Sequence, residues 1–295
     1  SCVHQFDVRS RTTRPARRRD STSASEATSN TFNAEEIRKV RNATAILHPD
    51  VRLQTHTLGN CQNTRRRRRR SCQPAPFNHT VGNHTTCAVV GNSGILLGSH
   101  CGAEIDSKDY VIRMDVPAIR GFETDVGRRT NMTILNVSTP KRIRDSSGLE
   151  NRTQDVYESR LRDINGTVLV AGARERVVLK AAMTKYDNQF SFILLTCKES
   201  FKFAPFIHRY RTPGPPSTGQ TTVLTATAFC DQLHLYGFFP FRQDENKRPV
   251  PYHYYPDDYI EPIIQSTRHR MDKEYRFYER LQKRRVLKLH VGKCN

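Results

Sequence analysis

No stretch of this 295-residue chain approaches the roughly 18 consecutive apolar residues that a membrane-spanning helix needs. Its eight cysteines include no Cys-x-x-Cys pair, and zinc ribbons and dithiol redox centres both depend on that spacing. His-Glu-x-x-His and Gly-x-Ser-x-Gly are missing as well, which excludes a zincin helix and a hydrolase nucleophile elbow. Asp-x-Asp occurs nowhere, so transfer chemistry through a carboxylate-held cation has little support, and no metal or other cofactor is expected. The chain opens on Ser1 without an initiator methionine, and a signal or anchor is expected to precede it.

The formal charge of +19 is unevenly distributed. Residues 1–72 hold 16 Lys/Arg against 6 Asp/Glu, so this quarter supplies +10 and the rest +9. Six consecutive arginines at 65–70 read as a solvated run, a polyanion-binding patch or a processing site for a basic-specific protease. Nucleic acid is not an expected partner, because the arginines are not interleaved with aromatics and no recognised module accompanies them. Residues 1–75 are rich in Ser, Thr, Arg and Asn and show no sustained apolar periodicity. They are expected to form a low-order, stem-like segment. Residues 76–295 carry recurrent apolar runs and are expected to form one domain around a single core.

Two counts point to an oxidising lumen. Asn-x-Ser/Thr occurs at Asn42, Asn78, Asn83, Asn131, Asn136, Asn151 and Asn165, where chance gives roughly two or three. The cysteine number is even and the cysteines are scattered, as in a disulfide framework.

The chemistry-bearing stretches lie downstream. Cys87-Ala88-Val89-Val90 reads as a buried strand that breaks at Gly91-Asn92-Ser93-Gly94. The two glycines allow a sharp turn and close approach of a ligand, though a plain turn has the same appearance. Short strands are expected at 110–112, 132–135 and 167–170, with a helix at 154–163, an alternation that suggests an α/β sheet covered on both faces. Pro216-Ser217-Thr218-Gly219 places an N-cap serine before a helix expected over 221–230, a natural anion site. A buried strand, 233–238, follows and reaches Gly237, and open α/β sheets bind ligands at such carboxyl ends. His253 sits in the aromatic cluster Tyr252-His253-Tyr254-Tyr255, either as a packed histidine or as a site residue. His269 and Glu274 stand five apart, which on one helix would turn them away from a shared metal.

In order, these stretches resemble the sialylmotifs of the animal sialyltransferases. Residues 87–136, with CAVVGNSGILL and DVGRRTN, resemble the large motif, and PSTGQTTVLTATAFCDQLHLYGFFPF the small one. YHYY at 252–255 and His269-x4-Glu274 resemble the third and very small motifs. PSTG, LYGFFPF, HYY and the ending LKLHVGKC are most similar to the α2,8 branch, which includes the polysialyltransferases. The resemblance implies a metal-independent GT-A-like variant, a Rossmann-like, mostly parallel sheet flanked by helices. It implies CMP-sialic acid as donor, Asn92, Ser93, Asp115, Ser217, Thr218, Gly219, Gly237 and Phe239 as donor-binding positions, His253 at the phosphate and His269 as general base. It also implies disulfides Cys87 to Cys230 and Cys101 to Cys294, acceptors that are sialylated glycoproteins or glycolipids, and residence in the Golgi lumen behind an N-terminal anchor.

The chain departs from the family in three places. Arg113-Met114-Asp115 stands where the family has Arg-x-Asn; a carboxylate there is silent if it meets a ribose hydroxyl, and it weakens donor binding if it faces the phosphate unless Arg113 or neighbouring arginines compensate. Phe239 replaces the tryptophan usual in the α2,8 branch. Cys2, Cys61, Cys72 and Cys197 have no family pairing, although Cys61 with Cys72 could close a loop around the arginine run. Residues 174–216 hold eight Lys/Arg and three Asp/Glu, so mono- or oligosialylation is expected over polymerisation. The competing expectation is a secreted polyanion-binding protein with a degenerate, weakly active sialyltransferase domain.

Overall fold

The computed structural model describes residues 31–59, 79–197, 216–260 and 269–294. The arginine run, Cys2, Cys61, Cys72 and Asn78 lie outside them. Strands β1 (Leu53–Gly59), β2 (His84–Val90), β3 (Tyr110–Met114), β4 (Met132–Ile134), β5 (Val168–Ala171), β6 (Ser191–Cys197), β7 (Cys230–Tyr236) and β8 (Leu287–His290) form one sheet. Its order is β1-β6-β5-β4-β3-β2-β7-β8, and every pairing is parallel except β1 with β6. The helices are α1 (Ala34–Thr44), α2 (Pro49–Arg52), α3 (Gly102–Asp106), α4 (Glu123–Val126), α5 (Thr139–Ser146), α6 (Val156–Asp163), α7 (Glu175–Lys185), α8 (Thr218–Thr227) and α9 (Met271–Lys283). Among the described residues no helix is long and apolar enough to cross a membrane.

A central parallel strand is buried on both faces, so its sequence is continuously apolar rather than alternating. In β2, Cys87 and Val89 point to one face and Ala88 and Val90 to the other, all buried. On the first face α1, α8 and α9 pack Val40, Val223, Leu224, Phe277 and Leu281 against Val89, Ile112, Met132, Leu233 and Leu235. On the second face α5, α6 and α7 bring Ile143, Leu161, Leu179 and Met183 against Leu169, Ala171 and Leu194. Ile105 of α3 and Val126 of α4 cover Ala88 and Val90 on that same side. This is a mostly parallel α/β sheet with helices on both faces.

From β2 the chain moves outward through β3, β4, β5 and β6, then returns beside β2 as β7 and continues away as β8. The connections leaving β2 and β7 therefore diverge, and a crevice opens between their carboxyl ends, the usual ligand position in such sheets. Two disulfides frame it. Cys87–Cys230 staples β2 to β7, and Cys101–Cys294 ties the start of α3 to the chain beyond β8. Cys197, at the end of β6, is also disulfide-bonded.

Two expectations need correction. The stem expected over 1–75 contains part of the fold, because residues 34–59 build α1, α2 and β1. Averaged composition hid this: Val40 stands alone and Leu47 follows Ile46 in a largely polar stretch, yet both are buried against the sheet. Burial of each contributes about 1.5–3 kcal/mol. The Asn33 side chain caps α1 by accepting from the Glu35 and Glu36 N–H groups at 3.1 Å each. The helix expected over 221–230 instead runs Thr218–Thr227. Ser217 caps it directly, its hydroxyl accepting from the Gln220 N–H at 3.0 Å, and Cys230 is drawn into the ladder with β2.

Candidate active site

A cleft of about 610 Å³ lies at the carboxyl ends of β2, β3, β4 and β7. It is lined by Asn92, Ser93, Asp115, Ser217, Thr218, Gly219, Gly237, Phe239, His253 and His269. Every residue singled out in the sequence as catalytic or donor-binding thus reaches one cavity.

The loop after β2 is clamped to the loop after β7. The Gly91 N–H donates to the Tyr236 carbonyl at 2.7 Å, and the Ser93 N–H donates to the Gly237 carbonyl at 3.2 Å. A β-carbon on Gly237, whose φ is +69°, would come within 2.7 Å of the Gly91 carbonyl oxygen, and one on Gly91 would strike the Gly237 backbone. The Ser93 hydroxyl donates to the Phe239 carbonyl at 2.8 Å, so it braces the two loops against each other. A third segment closes on the first: the Tyr254 N–H donates to the Asn92 carbonyl at 2.9 Å and the Gly94 N–H to the Pro251 carbonyl at 3.0 Å. The Asn92 amide donates to the Met114 carbonyl at 3.3 Å, while its Oδ1 is buried without a partner.

Opposite stands the N-terminus of α8. Glu274, in the first turn of α9, accepts from the Ser217 N–H at 3.0 Å and from the Ser217 hydroxyl at 2.6 Å. Burial pushes the Glu274 carboxyl up, against the lowering effect of those two bonds. Thr218 accepts from the Asn136 amide at 3.1 Å. The N–H groups of Thr218 and Gly219 begin the helix and have no hydrogen bond within the described residues. They are a ready anion-binding pair.

His253 is stacked between Tyr252, at 4.5 Å between centroids, and Tyr255, at 5.1 Å. Its Nδ1 is buried without a partner, and burial lowers the imidazole to about 4. Two further arginines reach the cleft wall. Arg142 is neutralised by the buried Asp258, which accepts from its Nε at 2.6 Å and from the Tyr157 hydroxyl at 2.7 Å. The Arg160 guanidinium lies 4.7 Å over the Tyr255 ring and hydrogen-bonds only to the Val116 and Pro256 carbonyls among the described residues. It leaves a positive charge beside His253. His269 lines the same cleft two residues ahead of α9.

Asp115 has φ +59°, a left-handed backbone that Asn and Asp tolerate better than other side chains. Its Oδ1 accepts from the Asn136 N–H and from the Thr139 hydroxyl, both at 2.7 Å, which fixes the loop after β4 and the start of α5. Burial raises its pKa, and the hydrogen bonds from Thr139 and Asn136, with the nearby Arg142, counteract part of that. Arg113 does not compensate this charge. It is fully buried in β3 and donates to the Val126, Gly127 and Arg129 carbonyls, so the loop carrying the second half of the large motif is wrapped around its guanidinium.

The description "Glycosyltransferase family 29 (sialyltransferase)" matches residues 35–286. The chain belongs to this family. Its match to mouse alpha-2,8-sialyltransferase 8F is 33% identical over 228 residues, covering 72% of the chain and 54% of the mouse protein. The chain thus spans about half the length of that curated relative. A crystal structure of a mammalian sialyltransferase in complex with Gal-beta-1-3GalNAc-ortho-nitrophenol is similar at 24% identity and a TM-score of 0.46, covering 71% of this chain and 70% of that one. A second mammalian sialyltransferase structure is similar at 21% identity and a TM-score of 0.47, covering 91% and 82%.

Several residues of this cleft escaped sequence reasoning. Glu274 was visible only as the end of a short motif, and its tie to Ser217 needed two helices brought end to end. Asn136 was counted as a glycosylation acceptor, although its amide is committed to Thr218. Arg142 and Arg160 belong to a strongly basic chain in which no single arginine stands out; only their burial distinguishes them.

Proposed function

We propose that this chain transfers sialic acid from CMP-sialic acid to a hydroxyl of a sialylated glycan, forming an α2,8 linkage by one inverting displacement. The observation that carries this reading is the convergence of the GNSG loop, the free end of α8 and His253 on one cleft. In this reading the cytidine nucleotide lies along the Asn92 loop, and the Thr218 and Gly219 N–H groups meet the phosphate. His253 donates to that phosphate once the anion has raised its pKa from about 4. The acceptor oxygen attacks the anomeric carbon, His269 takes its proton, and CMP departs with the electron pair of the broken bond. Charge on the leaving phosphate is stabilised by the helix end, His253 and Arg160, donors already fixed before reaction.

The α2,8 assignment is supported by the mouse relative and the HYY and PSTG stretches. Scattered disulfides and seven glycosylation sequons support work in the Golgi lumen. The test is transfer from CMP-sialic acid to a panel of sialylated and desialylated glycoproteins and gangliosides, followed by linkage-specific sialidase digestion. Product on sialylated acceptors alone, in α2,8 linkage, is expected. Transfer to terminal galactose would overturn the linkage. Donor binding without any transfer would favour a degenerate domain acting as a binding protein.

A further inference from the structure

Outside the cleft, a second polar cluster joins α3, β7 and β8. His234 and Tyr236 point to the same face of β7, and His290 is the register partner of Tyr236 on β8. Glu104 of α3 reaches over them. The His234 Nδ1 and His290 Nε2 are 3.0 Å apart, His290 Nε2 lies 3.6 Å from Glu104 Oε1, and the three ligand atoms all fall within 4.8 Å of one another. The Tyr236 hydroxyl donates to Glu104 Oε1 at 2.7 Å and orients it. None of the three ligand residues lines the cleft.

We propose that Glu104, His234 and His290 form a structural binding site for a divalent transition metal of the zinc type, which fastens β8 and α3 to β7. Ligand atoms about 2.0–2.2 Å from a tetrahedral zinc stand roughly 3.3 Å apart. Two of the three separations already bracket that value, and the third lies within 4.8 Å. Two imidazoles and a carboxylate suit zinc, and a water or hydroxide can complete the tetrahedron. The Glu104–Tyr236 hydrogen bond is the outer contact that such a ligand usually carries.

The 3.0 Å contact between the two ring nitrogens is a hydrogen bond in which one of them donates its proton, and a bound metal ion would take the place of that proton and release it to solvent. Lys108, 3.6 Å from Glu104, and Lys288, on the register partner of His234, oppose the cation and set its affinity below that of an acidic site. Cys101 precedes α3 and Cys294 follows β8, so the disulfide and the metal would hold the same two elements at different points. The site is structural and leaves the cation-free displacement untouched.

The experiment uses the whole, disulfide-intact chain stripped with a chelator. Zn²⁺ and Co²⁺ are titrated while calorimetry, thermal unfolding and the visible absorption of Co²⁺ are followed. One equivalent bound, a four-coordinate Co²⁺ spectrum and a rise in Tm are expected. His290→Gln and Glu104→Gln should each weaken binding at least a hundredfold and abolish the Tm rise. CMP binding confirms that these variants are folded, and His290 lies at a strand end where glutamine is readily accommodated. Absence of stoichiometric binding, or binding unchanged in both variants, overturns the site.

Discussion

The carboxylate of Glu274 holds both the N–H and the hydroxyl of Ser217, so the first turn of α9 is fastened to the cap of α8. This single residue sets the aim of the helix end that faces the cleft, and it does so from a buried position that raises its own pKa. A carboxyl whose folded pKa lies above its ordinary value of 4.5 is bound more readily by protons in the native state. Its contribution to stability is then full below that value and is lost as pH rises through the folded pKa. Unfolding of wild type and Glu274→Gln across this window should show the wild type losing more stability as pH rises. Glu274→Ala, which strands two Ser217 donors, should lose about 1–3 kcal/mol and weaken CMP binding. Parallel pH curves for wild type and Glu274→Gln would remove the ionisable role.

Asp115→Asn should keep both structural hydrogen bonds, since an amide oxygen can accept from Asn136 and Thr139 as the carboxylate does. It removes a negative charge from the cleft and should tighten CMP-sialic acid binding several-fold at neutral pH. Because burial raises the wild-type carboxyl, lowering the pH should improve wild-type affinity more than that of the Asn variant, in which only the proton uptake by His253 remains. Calorimetry on both proteins at two pH values is decisive. Equal affinities at neutral pH would assign Asp115 to a ribose hydroxyl or to structure alone.

For His269→Ala the expectation is a fall in turnover of about 10²–10⁴-fold with donor affinity largely kept. Single-turnover rates and CMP-sialic acid binding separate the two effects. Near-normal turnover would mean that another group accepts the acceptor proton.

Gly91→Ala places a methyl group against the Gly237 backbone, and the two loops cannot part without breaking the Tyr236 and Gly237 hydrogen bonds. Overpacking of this kind costs about 1–3 kcal/mol. Denaturant unfolding should report that loss, and CMP affinity should fall with it. Wild-type values for both would show that the loops do not meet in solution.

Asn136 forms a sequon, but glycosylation would attach to the amide nitrogen that donates to Thr218 inside the cleft. An active chain should carry it unmodified, while the exposed Asn83 and Asn151 are free to be glycosylated. Glycopeptide mass spectrometry of secreted, active protein checks this. A glycan on Asn136 in that material would contradict the placement of the cleft.

Local chemistry made much of the protein legible in the sequence. The apolar run 87–90 ending in Gly91 and Gly94, the Ser217 cap and the Gly237 turn are short-range signals. They mark strand ends and a helix start wherever they occur, and the order of the motifs tied them to a family. What the sequence could not supply depended on non-local contact. Residues 34–59 look too polar to fold, and their place in the core comes from non-local contacts: β1 pairs with β6 more than 130 residues away, and Val40 and Leu47 pack with α8 and β7. That Asp115 also fastens the chain was equally hidden until its φ of +59° and its bonds to Asn136 and Thr139 were seen. Arg113 illustrates the same limit. As text it is one basic residue beside Asp115, but successive side chains of a strand point to opposite faces, and burial turned this one into the post around which residues 126–130 are wound. Residue type and spacing determined which groups are present; the closing of the sheet between β2 and β7 decided which of them share a cavity.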